Sequence, residues 1–262
     1  MTSPSLDPWH DFRAATAARI ALGRSGGSLP TRELLSFGLA HARARDAVIS
    51  VFDPKFLVDQ LGLCGLDAMV LSSATSNRDE YLRRPDLGRR LSDESRKDLS
   101  NQSISGCDLC LIISDGLSSS ATSHAAKMAQ GLLTQLQAEQ WKVAPVMVIP
   151  FARVAIQDEI GERIGAAISL ILLGERPGLG SPDSLGAYFV HGPRVGKSDA
   201  DRNCVSNIRP QGLPPDDAVA TLHYLLNCSR RRKLSGISLK DERLLTRESS
   251  PSGLPGTATT PE

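Results

Sequence analysis

The second half of the sequence alternates between short apolar runs and longer segments with helical spacing. Such runs are typical of strands buried on both faces, and the helical segments between them supply the crossovers that parallel strands require. The pattern therefore predicts an α/β fold with a mostly parallel sheet. The four predicted strands are Asp108–Ser114, Ala144–Pro150, Ala167–Leu173 and Ala187–Val190.

Apolar residues three or four positions apart predict the helices. In the first 100 residues, this spacing predicts one helix from an N-cap at Asp7-Pro8 to about residue 20, and a second helix from Thr31 to Val48. The later predicted helices are a crossover helix within Ser119–Trp141, a short helix over Gln157–Gly165 and a closing helix over Pro215–Lys233.

These patterns divide the chain into three parts. An N-terminal helical region, 1–100, precedes an α/β domain, 101–242. From Arg243 onward, Ser, Thr, Pro and Gly dominate and aromatic residues are absent, so we expect a disordered tail over 243–262.

Composition excludes several classes of function. The chain carries 30 Lys and Arg against 29 Asp and Glu, so its net charge of +1 provides no overall basic surface for nucleic acid. No apolar run approaches the ~20 residues of a membrane span and the N-terminus has no signal-peptide pattern, so we expect a cytoplasmic protein without a membrane partner. The 5 cysteines are an odd, scattered set, which favours reduced thiols over a disulfide framework.

The loops after the predicted strands are the first candidates for a site, because ligands of open α/β sheets bind beyond the carboxyl ends of the strands. Ser114–Ser118 offers hydroxyls and helix amides to a polar ligand, and its alternative role is an ordinary helix N-cap. Gly174–Gly180 carries Glu175 at a strand tip, with a surface pair between Glu175 and Arg176 as the alternative. Neither a P-loop nor a dinucleotide-binding motif is present, which weakens nucleotide-dependent functions.

Cys204 is a weaker candidate. Asp201–Pro210 surrounds it with polar residues, a composition that usually forms caps and turns. A nucleophilic Cys204 needs a base, and His191 or His223 could serve only if folding brings one of them close.

Two further patterns have alternatives of their own. Cys107 and Cys110 have redox spacing, but they enter a strand, which favours buried thiols. The arginines of Arg78–Leu91 suit a solvated face, a protein interface or a phosphate clamp. No other Cys or His pair has zinc-type spacing, so no metal site is predicted.

Taken together and in order, the motifs of the chain closely resemble those of the small (light) subunit of ethanolamine ammonia-lyase. The resemblance covers roughly residues 7–241. Its specificity comes from the number and order of the motifs, since no single motif is diagnostic. The motifs are Thr16–Arg24, His41–Asp46, Tyr81–Arg90, Ser114–Ser118, Arg153-Val154, Gly174–Leu179 and Asn203–Ile208.

The resemblance implies one subunit of an adenosylcobalamin-dependent lyase that converts ethanolamine to acetaldehyde and ammonia by radical chemistry. In that family the large subunit, a TIM barrel, carries the substrate site, so no catalytic residue is expected in this chain. The family's small subunit has a Rossmann-like domain that closes over cobalamin at the subunit interface. We therefore expect a hetero-oligomer with the large subunit, in which residues 1–100 make subunit contacts.

Some relatives carry a longer N-terminal extension of the kind used for targeting to a bacterial microcompartment. This chain begins only a few residues before the shared region. Location inside a microcompartment therefore stays open.

The family's cobalamin contacts fall on Val154, Glu175 and Cys204, and all three match in residue type. Glu175 suits the amide and hydroxyl donors of a corrinoid, and Val154 suits its apolar ring surface. Cys204 would pack as a small soft group without becoming a thiolate.

Two other classes of function stay open at this point. One is a free-standing α/β hydrolase or thiol enzyme that uses a serine of Ser114–Ser118 or Cys204; the absence of a G-x-S-x-G motif weakens the hydrolase. The other is a scaffold that binds a protein without any cofactor.

Overall fold

The computed structural model describes residues 9–16, 18–102, 104 and 106–244. The predicted N-cap at Asp7-Pro8 and the predicted tail from residue 245 onward lie outside these residues. Arg243 and Leu244, the first residues of that predicted tail, end the chain's described part in a 3-10 turn, Glu242–Leu244.

Four of the seven described α-helices match the predicted apolar spacing, and the other three were not predicted. The helix predicted from Thr31 and the closing helix are confirmed, and the crossover helix begins later than predicted because a 3-10 segment, Ser119–His124, precedes it. None of the described helices is long and apolar enough to span a bilayer. The α-helices are α1 (Thr31–Ile49), α2 (Pro54–Leu63), α3 (Arg78–Arg83), α4 (Asp93–Asn101), α5 (Ala125–Ala138), α6 (Ile156–Ile164) and α7 (Pro215–Arg232).

The helix predicted near the N-terminus is wrong beyond Ala14. Only a 3-10 turn forms, His10–Ala14, and none of its residues is buried. Trp9 and Phe12 remain exposed, so the apolar face of this segment is not packed into the described core and burial does not stabilise a longer helix.

Six strands form one sheet in the order β1-β3-β2-β4-β5-β6. The pairs β1/β3, β3/β2 and β2/β4 are parallel, whereas β4/β5 and β5/β6 are antiparallel. The strands are β1 (Ala68–Val70), β2 (Leu109–Ser114), β3 (Val146–Val148), β4 (Ile168–Gly174), β5 (Leu185–His191) and β6 (Arg202–Ile208).

The α/β class is confirmed, but the sheet is mixed instead of mostly parallel. All four predicted strands form, as β2 to β5. The segment 175–184 between β4 and β5 contains only turns and the short bridge between Gly178 and Ser181. A parallel partner would need a crossover of a dozen or more residues, so β5 returns antiparallel to β4.

Two strands were not predicted. β1 lies within the region 1–100 that was predicted to be helical, and it has three residues. β6 lies within Asp201–Pro210, where turns were predicted, and it exposes Cys204, Ser206 and Asn207. A short strand and a polar edge strand both lack the apolar run that marks a buried strand.

Alternate residues of the strands serve two cores, one on each face of the sheet. Leu109, Leu111 and Ile113 of β2 pack with α2, α5 and α7, and we call this side the α5 face. Cys110 and Ile112 pack with α4 and α6, and we call this side the α6 face. Toward β5 and β6, the α6 face becomes accessible to solvent. Half-buried Tyr188 and exposed Cys204 lie in this part of the face.

Candidate functional site

The three positions that resemble cobalamin contacts lie on three different elements. Val154 lies in the loop between β3 and α6, Glu175 directly follows β4, and Cys204 is in β6. Val154 and Tyr188 of β5 both pack against the core of the α6 face. Cys204 lies directly opposite Tyr188 in the antiparallel β5/β6 pair, so the two side chains share that face.

Three donors hold the Glu175 carboxylate. The Ser184 hydroxyl donates to Oε2 at 2.5 Å and the Asn207 backbone N–H donates to the same oxygen at 3.1 Å. The Tyr188 hydroxyl donates to Oε1 at 3.3 Å. Because a carboxylate has about four acceptor positions, these contacts leave Oε1 able to accept from a ligand.

Gly186 makes room for this arrangement. A Cβ at this position would lie 2.7 Å from Glu175 Oε1 and 2.7 Å from Tyr188 Cε2. The carboxylate and the aromatic ring therefore pack directly over the backbone of β5. Any side chain at Gly186 would displace one of them.

The surroundings of Cys204 do not favour a nucleophile. Desolvation, with a further contribution from the Glu175 carboxylate, raises the pKa of the Cys204 thiol, and the neighbouring Tyr188 hydroxyl only partly opposes this. The thiol form is therefore favoured at neutral pH.

Neither histidine supplies Cys204 with a base. His191 is three residues from Tyr188 along β5, so its side chain points to the opposite face from Cys204. His223 of α7 faces Glu139, with 3.0 Å between Nε2 and Oε1. The thiol-enzyme hypothesis thus lacks its base.

The Ser114–Ser118 loop forms hydrogen bonds with the segments that follow β3 and β4. Ser114 Oγ accepts from the Ala152 N–H at 3.1 Å, and the Ser118 hydroxyl donates to the Pro182 carbonyl at 2.7 Å. Both serines are fully buried. The loop therefore matches its turn alternative, although Ser118 makes no side-chain capping hydrogen bond, and it offers no exposed seryl nucleophile at these two positions.

Asp115, within this loop, is buried and paired with Arg78. Its Oδ2 lies 2.9 Å from Arg78 Nη1, and its Oδ1 accepts from the Phe151 N–H at 2.7 Å. Burial raises the pKa of Asp115, and the Phe151 donor and the Arg78 charge oppose that effect. Phe151 has a φ of 57°, so the bond to Asp115 holds a backbone conformation that phenylalanine rarely adopts.

The arginine-rich segment around Tyr81 supports the loop that leads to Val154. The Tyr81 hydroxyl donates to the Ala152 carbonyl at 3.1 Å, and the Arg153 guanidinium lies 4.2 Å from the Tyr81 ring centroid. The Arg153 N–H also donates to the Gly88 carbonyl at 2.7 Å. These contacts assign Tyr81 and Gly88 of the segment a structural role beside the candidate site.

Helix α6 and strand β6 are joined by a buried ion pair. Asp158 Oδ2 and Arg202 Nη2 are 2.7 Å apart, and each side chain is 3% exposed. Burial raises the pKa of Asp158 to about 6 against the opposing charge of Arg202. The pair connects the helix that follows Val154 to the strand that carries Cys204.

The structure adds three residues that sequence reasoning missed. Ser184, Tyr188 and Asn207 all donate to Glu175, and they lie 9, 13 and 32 positions from it. Tyr188 carried a usable signal, because it is a polar-tipped aromatic residue within an apolar run. The backbone N–H of Asn207 gave no signal that could be read from the sequence.

A groove of about 700 Å³ lies at the same end of the sheet, beside α1 and the loop 180–183. Val154, Glu175 and Cys204 are not among its lining residues. The candidate site is therefore an accessible strip of the sheet and its loops, separate from this groove. The polar and charged lining residues of the groove include Arg43, Asp46, Asp183, Arg209 and Gln211.

Comparisons with known proteins agree with this arrangement of motifs. The family model described as "Ethanolamine ammonia-lyase light chain (EutC)" matches residues 6–240. The ethanolamine ammonia-lyase small subunit of Azotobacter vinelandii is 49% identical over 259 residues, which cover 97% of this chain and 96% of the relative. That of Xanthomonas campestris pv. campestris is 51% identical over 245 residues, 92% of this chain and 90% of the relative. The chain therefore belongs to the ethanolamine ammonia-lyase light-chain family.

Proposed function

We propose that this chain is the small subunit of an adenosylcobalamin-dependent ethanolamine ammonia-lyase and that it holds cobalamin at the interface with the large subunit. The enzyme converts ethanolamine to acetaldehyde and ammonia. The observation that carries the proposal is the Glu175 carboxylate, which three donors hold beside an accessible strip formed with Tyr188 and Cys204. We assign the Rossmann-like character of the family's domain to the four parallel strands, β1 to β4.

The residues present fit a corrinoid. Its rim carries amide side chains and its nucleotide tail carries ribose hydroxyls, all of which donate hydrogen bonds. Glu175 Oε1 has an acceptor position left, and half-buried Val154 offers methyl groups to an apolar ring surface. Cys204 is an exposed thiol that favours the protonated form, so it suits packing against the ligand.

Within this function the chain binds, orients and shields. Cobalamin, when bound, supplies radical chemistry through its cobalt–carbon bond. Glu175 accepts a hydrogen bond from the cofactor's periphery and so sets its orientation. Val154 and Cys204 cover part of its surface and exclude water from it. The substrate site belongs to the large subunit in this proposal, and no residue of this chain is assigned a catalytic role.

The large subunit is the proposed partner, in an obligate hetero-oligomer. Of 16 large hydrophobic residues exposed in the described part of the chain, 11 precede residue 64. Exposed apolar side chains concentrated in one region mark an interaction surface. We therefore propose that residues 1–100 make the principal subunit contacts. The most exposed apolar side chains of α1 are Leu35, Ile49 and Leu34.

The direct test is reconstitution. The purified chain, the large subunit, adenosylcobalamin and ethanolamine are mixed, and acetaldehyde is followed over time. We expect activity only when both chains and the cofactor are present. Full activity of the large subunit alone, or of both chains without cobalamin, would remove the proposed role.

Replacing Glu175 by alanine is expected to raise the cobalamin concentration for half-maximal activity by about 10-fold or more, because a hydrogen bond to a charged acceptor is lost. Cobalamin titration of the reconstituted complex measures the effect. Glu94→Ala is the matched control, since Glu94 is an exposed residue of α4. An unchanged cofactor dependence in Glu175→Ala would exclude Glu175 from the site.

Replacing Cys204 by serine is expected to leave most of the activity, because the thiol packs against the cofactor and performs no chemistry. The measurement is the acetaldehyde rate at saturating cobalamin, with Cys204→Ala as a second variant. Complete loss of activity with intact cobalamin binding would restore the nucleophile hypothesis.

A further inference from the structure

Tyr188 has a distinct place among the donors that hold Glu175. Ser184 and Asn207 both donate to Oε2, whereas Tyr188 donates to Oε1. The described contacts of Ser184 and Asn207 therefore anchor one oxygen of the carboxylate. The hydroxyl of Tyr188 limits rotation of the other oxygen about that anchor.

Tyr188 also links two of the proposed contact positions. It lies opposite Cys204 across the β5/β6 pair, and its ring and the Glu175 carboxylate both pack over Gly186. Its side chain is half-buried on the α6 face, where the core of that face ends. The residue therefore connects the Oε1 atom of Glu175 with the surface that carries Cys204.

The phenol is suited to remain a donor. Burial, followed by the negative charge of the Glu175 carboxylate, raises the pKa of Tyr188 well above its usual range. The hydroxyl therefore keeps its proton at neutral pH. A donor that stays protonated at neutral pH holds the carboxylate in one orientation without reorganisation on ligand binding.

We propose that Tyr188 is a positioning residue for cobalamin, which fixes the Glu175 carboxylate so that the remaining acceptor position of Oε1 meets a donor of the cofactor. The inference rests on the proposed function. It adds a residue that acts through Glu175 and that does not itself need to touch the reacting atoms.

The test is a double-mutant cycle on the reconstituted two-chain complex, with Tyr188→Phe, Glu175→Ala and the double variant. Isothermal titration with adenosylcobalamin gives Kd, and acetaldehyde formation gives kcat at saturation. We expect Tyr188→Phe to raise Kd about fivefold, with kcat and the thermal unfolding midpoint unchanged, because only the orientation of Glu175 is lost. In the Glu175→Ala background, the same substitution should leave Kd unchanged.

Tyr224→Phe is the matched control. It removes a hydroxyl from α7, on the α5 face, and should leave Kd unchanged. An unchanged Kd in Tyr188→Phe, or an equal increase with and without Glu175, would overturn the positioning role. If Glu175→Ala alone leaves Kd unchanged while Tyr188→Phe raises it, the assignment of Glu175 under the proposed function fails and Tyr188 contacts the cofactor directly.

Discussion

Replacing Arg78 by methionine is expected to lower the free energy of unfolding by about 3–5 kcal/mol, because breaking a buried ion pair leaves an uncompensated charge. Asp115 is 1% exposed, and its Oδ2 lies 2.9 Å from the Arg78 guanidinium. Arg78 also donates to the Val48 carbonyl at 2.7 Å and to the Gly116 carbonyl at 2.6 Å. The substitution therefore removes the hydrogen-bond donor of three buried or half-buried acceptors at once. Urea denaturation followed by circular dichroism measures the loss.

The loss in the free energy of unfolding caused by Arg78→Met should be smaller at low pH. Burial already raises the pKa of Asp115, and removal of the cation raises it further. A carboxyl whose folded pKa exceeds its unfolded pKa binds a proton on folding, so its contribution to stability falls as pH rises through that interval. We therefore expect a smaller difference from the native chain at pH 5 than at pH 8. A difference that grows toward low pH would contradict this assignment.

Arg84→Met is the matched control. Arg84 pairs with Asp86 at 2.7 Å, but these side chains are 58% and 50% exposed. Exposed pairs contribute about 0–1 kcal/mol. Similar losses in Arg84→Met and Arg78→Met would mean that burial of Asp115 does not determine the energetics of this network.

Replacing Gly174 by alanine is expected to cost about 3 kcal/mol, because no space exists for a side chain where β4 ends. An added Cβ would overlap the carbonyl oxygens of Asp115 and Ser118. The Gly174 carbonyl also accepts from the Leu117 N–H at 2.9 Å, so β4 and the loop after β2 would have to separate. Since Glu175 is the next residue, the displacement should also weaken cobalamin binding.

Gly180→Ala provides the control for Gly174→Ala. Gly180 lies in the same loop region, and an added Cβ there has no atom within 4 Å. We expect its unfolding midpoint and cobalamin Kd to match the native values. The measurement is thermal unfolding of each variant, followed by titration of the reconstituted complex. A stable Gly174→Ala with native cofactor affinity would show that the loops relax freely.

Hydrophobic periodicity predicted the apolar strands and four of the α-helices, but it missed the short strand and the polar edge strand. The strands β2 to β5 and the helices α1, α5, α6 and α7 carry apolar patterns that match their periods, so each was found from sequence. β1 is short and β6 is a polar edge strand, so neither has such a pattern. The direction of β5 was likewise missed, because it depends on the length and turns of the segment 175–184.

The order of short motifs along the chain was enough to identify the family and to nominate Val154, Glu175 and Cys204. The motifs do not show how these three residues are arranged in space, because residues that follow different strands meet only when the strands pair. The tertiary structure alone brings Ser184, Tyr188 and Asn207 to one carboxylate and buries Asp115 against Arg78. Apolar patterns act locally and can be read along a chain, whereas hydrogen bonds between distant residues depend on register, turn geometry and close backbone approach.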